Sequence, residues 1–210
     1  MPEIINLVNS YPEAVERSIN VLNEGGVIVF PTDTVYGLAT KYDNYQGIQR
    51  IYQVKGRDQT KALAVLIGNI DQADLIASGS PIVSKKLMAK FWPGALTIVL
   101  KKRSDLKSPL SVDDSIGIRI PDDKFVRELA NHIGPLATTS ANRSGFPSIT
   151  KIDEVIDQIG SYVDLLIDGG ECTGGIPSTV IDCRNEKYKI LREGAITGEF
   201  IDRFLVSTNE

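Results

Sequence analysis

Short, continuously apolar runs separated by helical patterns set what this chain can fold into. The runs are Val27 to Phe30, Ala62 to Ile67, Leu96 to Leu100, Ser115 to Ile120, Leu136 to Thr139 and Val163 to Ile167. A strand with one wet face alternates apolar and polar residues, whereas a strand covered on both faces reads as a solid apolar run. Between the runs, apolar residues recur at helical spacing. Val15, Ile19 and Leu22 mark one helix over Ser10 to Asn23, closed by Gly25-Gly26. Ser10 with Glu13 makes a capping box, and Pro12 suits the first turn. Further helices are predicted over Gly47 to Val54, Asp71 to Ala77, Ser80 to Lys90 and, after a cap at Asp122 or Asp123, along Phe125, Val126, Leu129 and Ile133 to Gly134. Thr150 with Asp153 opens another through Ile159, and Ser178 to Asp182 and Tyr188 to Leu191 are the final strands. Interleaved elements of this kind give an α/β sheet covered by helices, with parallel and antiparallel pairs mixed.

The length of 210 residues suits one domain, 1–210. No internal repeat or linker divides it, and only Ser207 to Glu210 is expected to lack order. With 42% hydrophobic and 24% charged residues the composition is that of a soluble protein. A net charge of -4 excludes a generally basic surface for non-specific nucleic-acid binding, although a local basic groove is compatible with it. Met1 to Leu7 has no basic segment leading into a long apolar one, and no apolar run is long enough to cross a bilayer. Cys172 and Cys183 have no metal-type spacing and read as free thiols. A cytoplasmic protein with no membrane partner is expected.

Polar residues recur where strands end: Thr32 and Thr34, Lys55 and Arg57, Arg119, Ser140 and Asn142, Ser178, Arg192. Cations beside hydroxyls are the residue types that hold phosphate, lysine as a point charge and arginine as a fork. Arg119 interrupts Ile116, Ile118 and Ile120, so its guanidinium needs an anionic partner or a way out to water. Neither G-x-x-x-x-G-K-[ST] nor G-x-G-x-x-G follows a strand, so any phosphate site is assembled from scattered side chains. The single histidine, His132, falls near a helix C-terminus, which suits the helix dipole. Nucleophilic schemes that need a histidine base, and multi-histidine zinc sites, are therefore excluded. Asp113-Asp114 and Asp122-Asp123 have the charge to hold a divalent ion, but helix capping and solvation explain them better.

Seven ordered segments resemble the YrdC/TsaC/YciO family: Pro31-Thr32-Asp33-Thr34-Val35-Tyr36-Gly37-Leu38, Lys55-Gly56-Arg57, Trp92-Pro93-Gly94-Ala95-Leu96-Thr97, Gly117-Ile118-Arg119-Ile120-Pro121, Thr139-Ser140-Ala141-Asn142, Pro177-Ser178-Thr179-Val180-Ile181-Asp182 and Leu191-Arg192-Glu193-Gly194. They fall within a core of about residues 10–197, nearly the whole chain. The resemblance implies a twisted mixed sheet with flanking helices and a concave basic face. It implies a nucleotidyltransferase that makes threonylcarbamoyl-adenylate and pyrophosphate from L-threonine, bicarbonate and ATP, with Mg²⁺ on the nucleotide. The product would pass to the tRNA-modifying threonylcarbamoyl transferase machinery, and tRNA or other RNA is a further expected partner. Carried over position by position, Lys55, Arg57, Lys61, Ser115, Ser140, Asn142, Ser148 and Arg192 would hold ATP, with Lys55 and Arg57 catalytic. Thr34, Arg119, Thr138 and Ser178 would hold threonine, and no residue would hold a protein-bound metal.

Some positions depart from the family pattern. Asp58 stands where the family often has proline, Lys61-Ala62-Leu63 replaces an Asn-Pro-Leu or Lys-Pro-Leu run, and Leu66 falls where some long forms have histidine. The long form's linker and C-terminal domain are not expected after Arg192-Glu193-Gly194. Two other functions share the fold: a YciO-type RNA-binding or translation-associated protein, and a carbamoyl-phosphate-handling domain of a hydrogenase-maturation protein. The pairing of Lys55-Gly56-Arg57 with Ser140-Ala141-Asn142 favours the synthase, because an RNA surface needs cations but not a fixed hydroxyl and amide.

Overall fold

The computed structural model describes residues 2–106 and 108–207. Ten strands form one mixed sheet: β1 (Glu3–Asn6), β2 (Ile28–Phe30), β3 (Gly37–Lys41), β4 (Ala64–Leu66), β5 (Leu96–Lys101), β6 (Ser115–Arg119), β7 (Leu136–Ser140), β8 (Leu165–Asp168), β9 (Thr179–Asp182) and β10 (Lys189–Arg192). Their order is β1-β8-β2-β3-β7-β4-β6-β5-β9-β10. Among the described residues six α-helices accompany them: α1 (Tyr11–Asn23), α2 (Tyr45–Lys55), α3 (Ile82–Phe91), α4 (Lys124–Ile133), α5 (Ile152–Ile159) and α6 (Gly198–Ser207). No helix among the described residues is long and apolar enough to cross a membrane.

The apolar runs form strands as expected, and several local expectations are corrected. Ser10 precedes α1 but its side chain makes no capping hydrogen bond, so the capping box does not form. Asp71 to Ala77 is not an α-helix; Ile70–Leu75 winds as a 3₁₀ helix, capped by the Asn69 side chain. Thr32 to Leu38 is a loop only in part, because the chain re-enters the sheet at Gly37 as β3. β1 and α6 have no counterpart in the sequence reading, and α6 runs through Ser207; residues 208–210 lie outside the described residues. Asp123 does cap α4, accepting from the Val126 amide at 2.9 Å, and Gly134 ends that helix at φ 90.

The two faces of the sheet are covered unequally, and this creates the site. On one face α2, α3, α5 and α6 pack along the sheet, burying Val29, Leu38, Val65, Ile98, Ile118 and Ile181. On the other, α1 and α4 bury Ile28, Phe30, Ala39, Leu136 and Leu165. That second layer stops at Leu66 of β4. Beyond it, β6, β5, β9 and β10 have no helix above them on this face among the described residues. The side chains there are small: Ala64, Gly117, Thr97, Val99 and Val180. Successive strand residues point to opposite faces, so Ile116 and Ile118 fill the covered side while Ser115, Gly117 and Arg119 line an open trough.

Candidate active site

The trough is a cleft of about 470 Å³, walled by the Thr32–Gly37 loop, Arg57, the segment from Ser140 to Ser148, and β9 with β10. The strand register orders its floor. Thr138, Ala64, Gly117 and Val99 lie in one row across β7, β4, β6 and β5. Arg119 lies one row away on one side, beside Leu66, and Ser115 one row away on the other. Arg119 and Ser115 are the two ends of β6, four strand rises or about 13 Å apart.

Arg119 anchors one end. It is 5% exposed. Its Nε donates to the Gly94 carbonyl at 2.8 Å, and one terminal nitrogen donates to Thr34 Oγ1 at 3.0 Å. The other pairs with the Asp33 carboxylate. The expected anionic partner is therefore Asp33. Three of the five guanidinium N–H groups are engaged in this way, which leaves donors for a ligand. Thr32 Oγ1 donates to the Val35 carbonyl at 2.7 Å. Its one hydrogen is then spent, so at the 2.9 Å contact between the two hydroxyls Thr34 is the donor. This fixes Thr34 with a lone pair toward Arg119. Across the cleft, Thr97 and Ser178 share a hydroxyl–hydroxyl bond of 2.8 Å.

Arg57 and Arg192 supply the other cations. Arg57 donates to the carbonyls of Lys61 and Ala62 at 3.3 and 3.0 Å. Arg192 donates to the Ser178 carbonyl at 2.7 Å. Neither has a carboxylate within ion-pair distance among the described residues. Burial lowers the pKa of all three guanidinium groups, and Arg192 is lowered further by Arg57 and Arg119. Arginine stays charged nonetheless. The cleft thus holds repelling, partly desolvated cations that an anion would neutralise.

Most of the sequence-predicted residues meet here: Thr34, Arg57, Ser115, Arg119, Thr138, Ser140, Ser148, Ser178 and Arg192 all line the cleft. Three do not. Lys61 is exposed on the loop after Arg57, and it is its carbonyl that contacts Arg57. Lys55 and Asn142 lie beneath the floor, 3% and 5% exposed. The Lys55 ammonium donates to the carbonyls of Ser140 and Asn142, both at 2.5 Å, and to Asn142 Oδ1 at 3.3 Å. Burial, with Arg57 nearby, lowers its pKa to about 7; the three oxygens it contacts pull the other way. Asp58 is turned away from the cleft. Its carboxylate accepts from the Thr60 amide and hydroxyl at 2.9 and 2.8 Å, which holds its pKa below the usual carboxylate value.

Sequence reasoning did not assign Thr97, Asp113, Asp182 or Arg184 to the site, although they line the wall beyond Ser115. Thr97 and Asp182 had the same signal as Arg119, a polar residue on an otherwise apolar strand. Asp113 caps its own turn, accepting from Ser111 and Ser115, and its pKa falls to about 2 through those bonds. Arg184 is held by Asp182 at 2.8 Å and by Asp114 at 3.2 Å. The concave face is therefore cationic at its centre and mixed in charge at this edge.

Known proteins share both the sequence and the fold. Residues 20–194 match the Sua5/YciO/YrdC family model, described as telomere recombination. The threonylcarbamoyl-AMP synthase of Bacillus subtilis is 37% identical over 191 residues, which are 90% of this chain and 55% of that protein. The structure of Pyrococcus abyssi Sua5 complexed with L-threonine is 29% identical with a TM-score of 0.90, over 98% of this chain and 61% of that one. Escherichia coli YciO superposes with a TM-score of 0.82 at 24% identity over 92% of this chain and 96% of its own length, a likeness of fold. The chain thus spans little more than half the length of the Bacillus subtilis synthase. Matched over most of its length by the family model and carrying the family's motifs around one cleft, it belongs to the Sua5/YciO/YrdC family.

Proposed function

We propose that this chain is a threonylcarbamoyl-adenylate synthase, using L-threonine, bicarbonate and ATP and releasing pyrophosphate. The observation that carries this reading is the convergence of Arg57, Arg119 and Arg192 on one cleft, with a carboxylate partner, among the described residues, only for Arg119. The Bacillus subtilis synthase and the threonine complex of the Pyrococcus abyssi protein support it.

In this reading the threonine carboxylate takes the free donors of Arg119, beside Thr34, Thr138 and Ser178. The triphosphate lies toward Arg57, Ser140 and Ser148, and Arg192 stands between the two, within electrostatic reach of both other arginines. The threonine amine condenses with bicarbonate, losing water, to give a carbamate. A carbamate oxygen then attacks the α-phosphorus, forming the new P–O bond as the bond to pyrophosphate breaks. Negative charge builds on the phosphoryl oxygens and the leaving group, where fixed cations act best. Positioning two bound reactants contributes the rest, so a cleft without histidine is suited to the task. Among the described residues no group of three or more His, Cys, Asp or Glu side chains is placed to hold a metal ion. In this reading Mg²⁺ would enter on the nucleotide, held by phosphate oxygens and water. A tRNA-modifying transferase would take up the product.

The test is pyrophosphate release from ATP by purified protein, with threonine or bicarbonate omitted in turn. Release is expected only with both present. Release that ignores either omission, or none under any condition, would overturn the reading and leave RNA contact as the use of this face.

A further inference from the structure

We propose that Lys55 is a positioning residue: its ammonium pins the turn that leaves β7, so that the Ser140 hydroxyl faces the cleft, and it makes no phosphate contact of its own. The assignment rests on the nucleotide reading of the cleft.

Lys55 is the last residue of α2, and Gly56 reverses the chain behind it in the left-handed region, φ 57. A left-handed glycine of this kind is the usual way to end a helix abruptly. It sends Arg57 outward to the cleft while Lys55 stays beneath the floor. An ammonium has three hydrogens and no lone pair. All three are directed at oxygens, those of Ser140 and Asn142 described above.

The network is closed on every side. The Asn142 amide, whose oxygen faces Lys55, donates to the carbonyls of Arg143 and Phe146 at 3.0 and 2.6 Å. The Ser144 amide donates to the Lys55 carbonyl at 2.8 Å, and the Ala141 amide to the Tyr36 carbonyl at 2.8 Å. Ser140 itself is paired with Gly37 in the sheet. Its carbonyl is thus turned to Lys55 while its side chain lines the cleft. For the ammonium to reach a phosphate it would have to abandon the Ser140 carbonyl and the buried Asn142 carbonyl, and unmade bonds of buried groups are costly. Lys55 is also absent from the cleft lining, in contrast to Arg57 two residues on.

The experiment is nitrogen-detected NMR of the lysine ammonium groups in the full chain, with the Lys55 signal assigned through its own side-chain correlations. In nucleotide-free protein its protons are expected to exchange with water at least ten-fold more slowly than those of exposed lysines. Addition of ATP should move the Arg57 guanidinium signals and leave the Lys55 signal in place. Exchange as fast as that of exposed lysines, or a coupling from the Lys55 nitrogen to phosphorus, would overturn the proposal. If no cleft signal responds to ATP while the Lys55 ammonium stays protected, the nucleotide reading falls and the pin stands. A kinetic cycle gives a second measure: Lys55→Met and Ser140→Ala should each lower turnover about ten-fold or more, and the double variant should be no worse than the poorer single one. Multiplying losses would show that Lys55 acts independently of Ser140.

Discussion

Replacing Arg119 with methionine removes the cation but keeps most of the side-chain volume. In the intact protein Arg119 and Asp33 have side chains only 6% and 16% exposed. Methionine leaves the Asp33 carboxylate facing the vacated position with no cation. Asp123 lies close enough that Asp33 raises its pKa, after burial itself, so the orphaned charge also meets a like one. Removing one partner of a buried pair costs about 3–5 kcal/mol, most of it the desolvated survivor. For a chain of this size that is a fall in melting temperature of roughly 6–20 °C. The assay is equilibrium denaturation of wild type, Arg119→Met, and the double variant Arg119→Met with Asp33→Asn. The double variant should be more stable than Arg119→Met, because a neutral amide no longer needs a cation. A loss below about 1 kcal/mol in the single variant, or no recovery in the double, would refute the view that this pair is buried and mutually dependent. In activity, Arg119→Lys should raise the threonine requirement about 10- to 150-fold, the value of a charge-assisted contact of ~1.5–3 kcal/mol, with far less change for ATP.

Other variants test the cleft at separate points. Gly117→Val puts branched carbons on its floor, where even a Cβ would lie 3.2 Å from Thr97 Cγ2; nucleotide and threonine binding by calorimetry should weaken ten-fold or more with the far-ultraviolet spectrum unchanged. Gly174→Ala would place Cβ 2.3 Å from the Asp33 carbonyl oxygen and 2.9 Å from Thr34 Cα, so the loop must move, and the threonine requirement should rise several-fold while that for ATP holds. Asp113 has a depressed pKa, about 2, so its contribution to stability is present above the usual carboxylate range and is lost as pH falls toward 2. Asp113→Asn should therefore melt below wild type at neutral pH, the gap narrowing as the pH drops from 4 toward 2; a gap independent of pH would contradict this.

How much could be read in advance depended on whether a residue's fate was decided locally. The apolar runs became strands because burial on both faces demands that composition. Arg119 stood out because a charge among isoleucines has to be answered. β3 was missed because Gly37 to Lys41 has little strand preference; it is a strand because β2 and β7 flank it. β1 is four residues long and exists through its parallel pairing with β8, far along the chain. The direction of a side chain was the least legible feature. Lys55 and Arg57 look equivalent as letters, yet a left-handed glycine between them sends one beneath the floor and the other into the cleft.

The order of strands has a consequence for how this protein comes to be made. β6 carries Arg119 and lies between β4 and β5, while the far wall, β9 and β10, is added alongside β5 from residues 179–192. During vectorial synthesis the floor and Arg57 leave the ribosome well before Ser178 and Arg192. The wall that carries Ser178 and Arg192 is thus the last part of the cleft to be made. The cleft is therefore completed only when β9 and β10 join the sheet beside β5, and a chain that stops before residue 178 lacks the wall that carries Ser178 and Arg192.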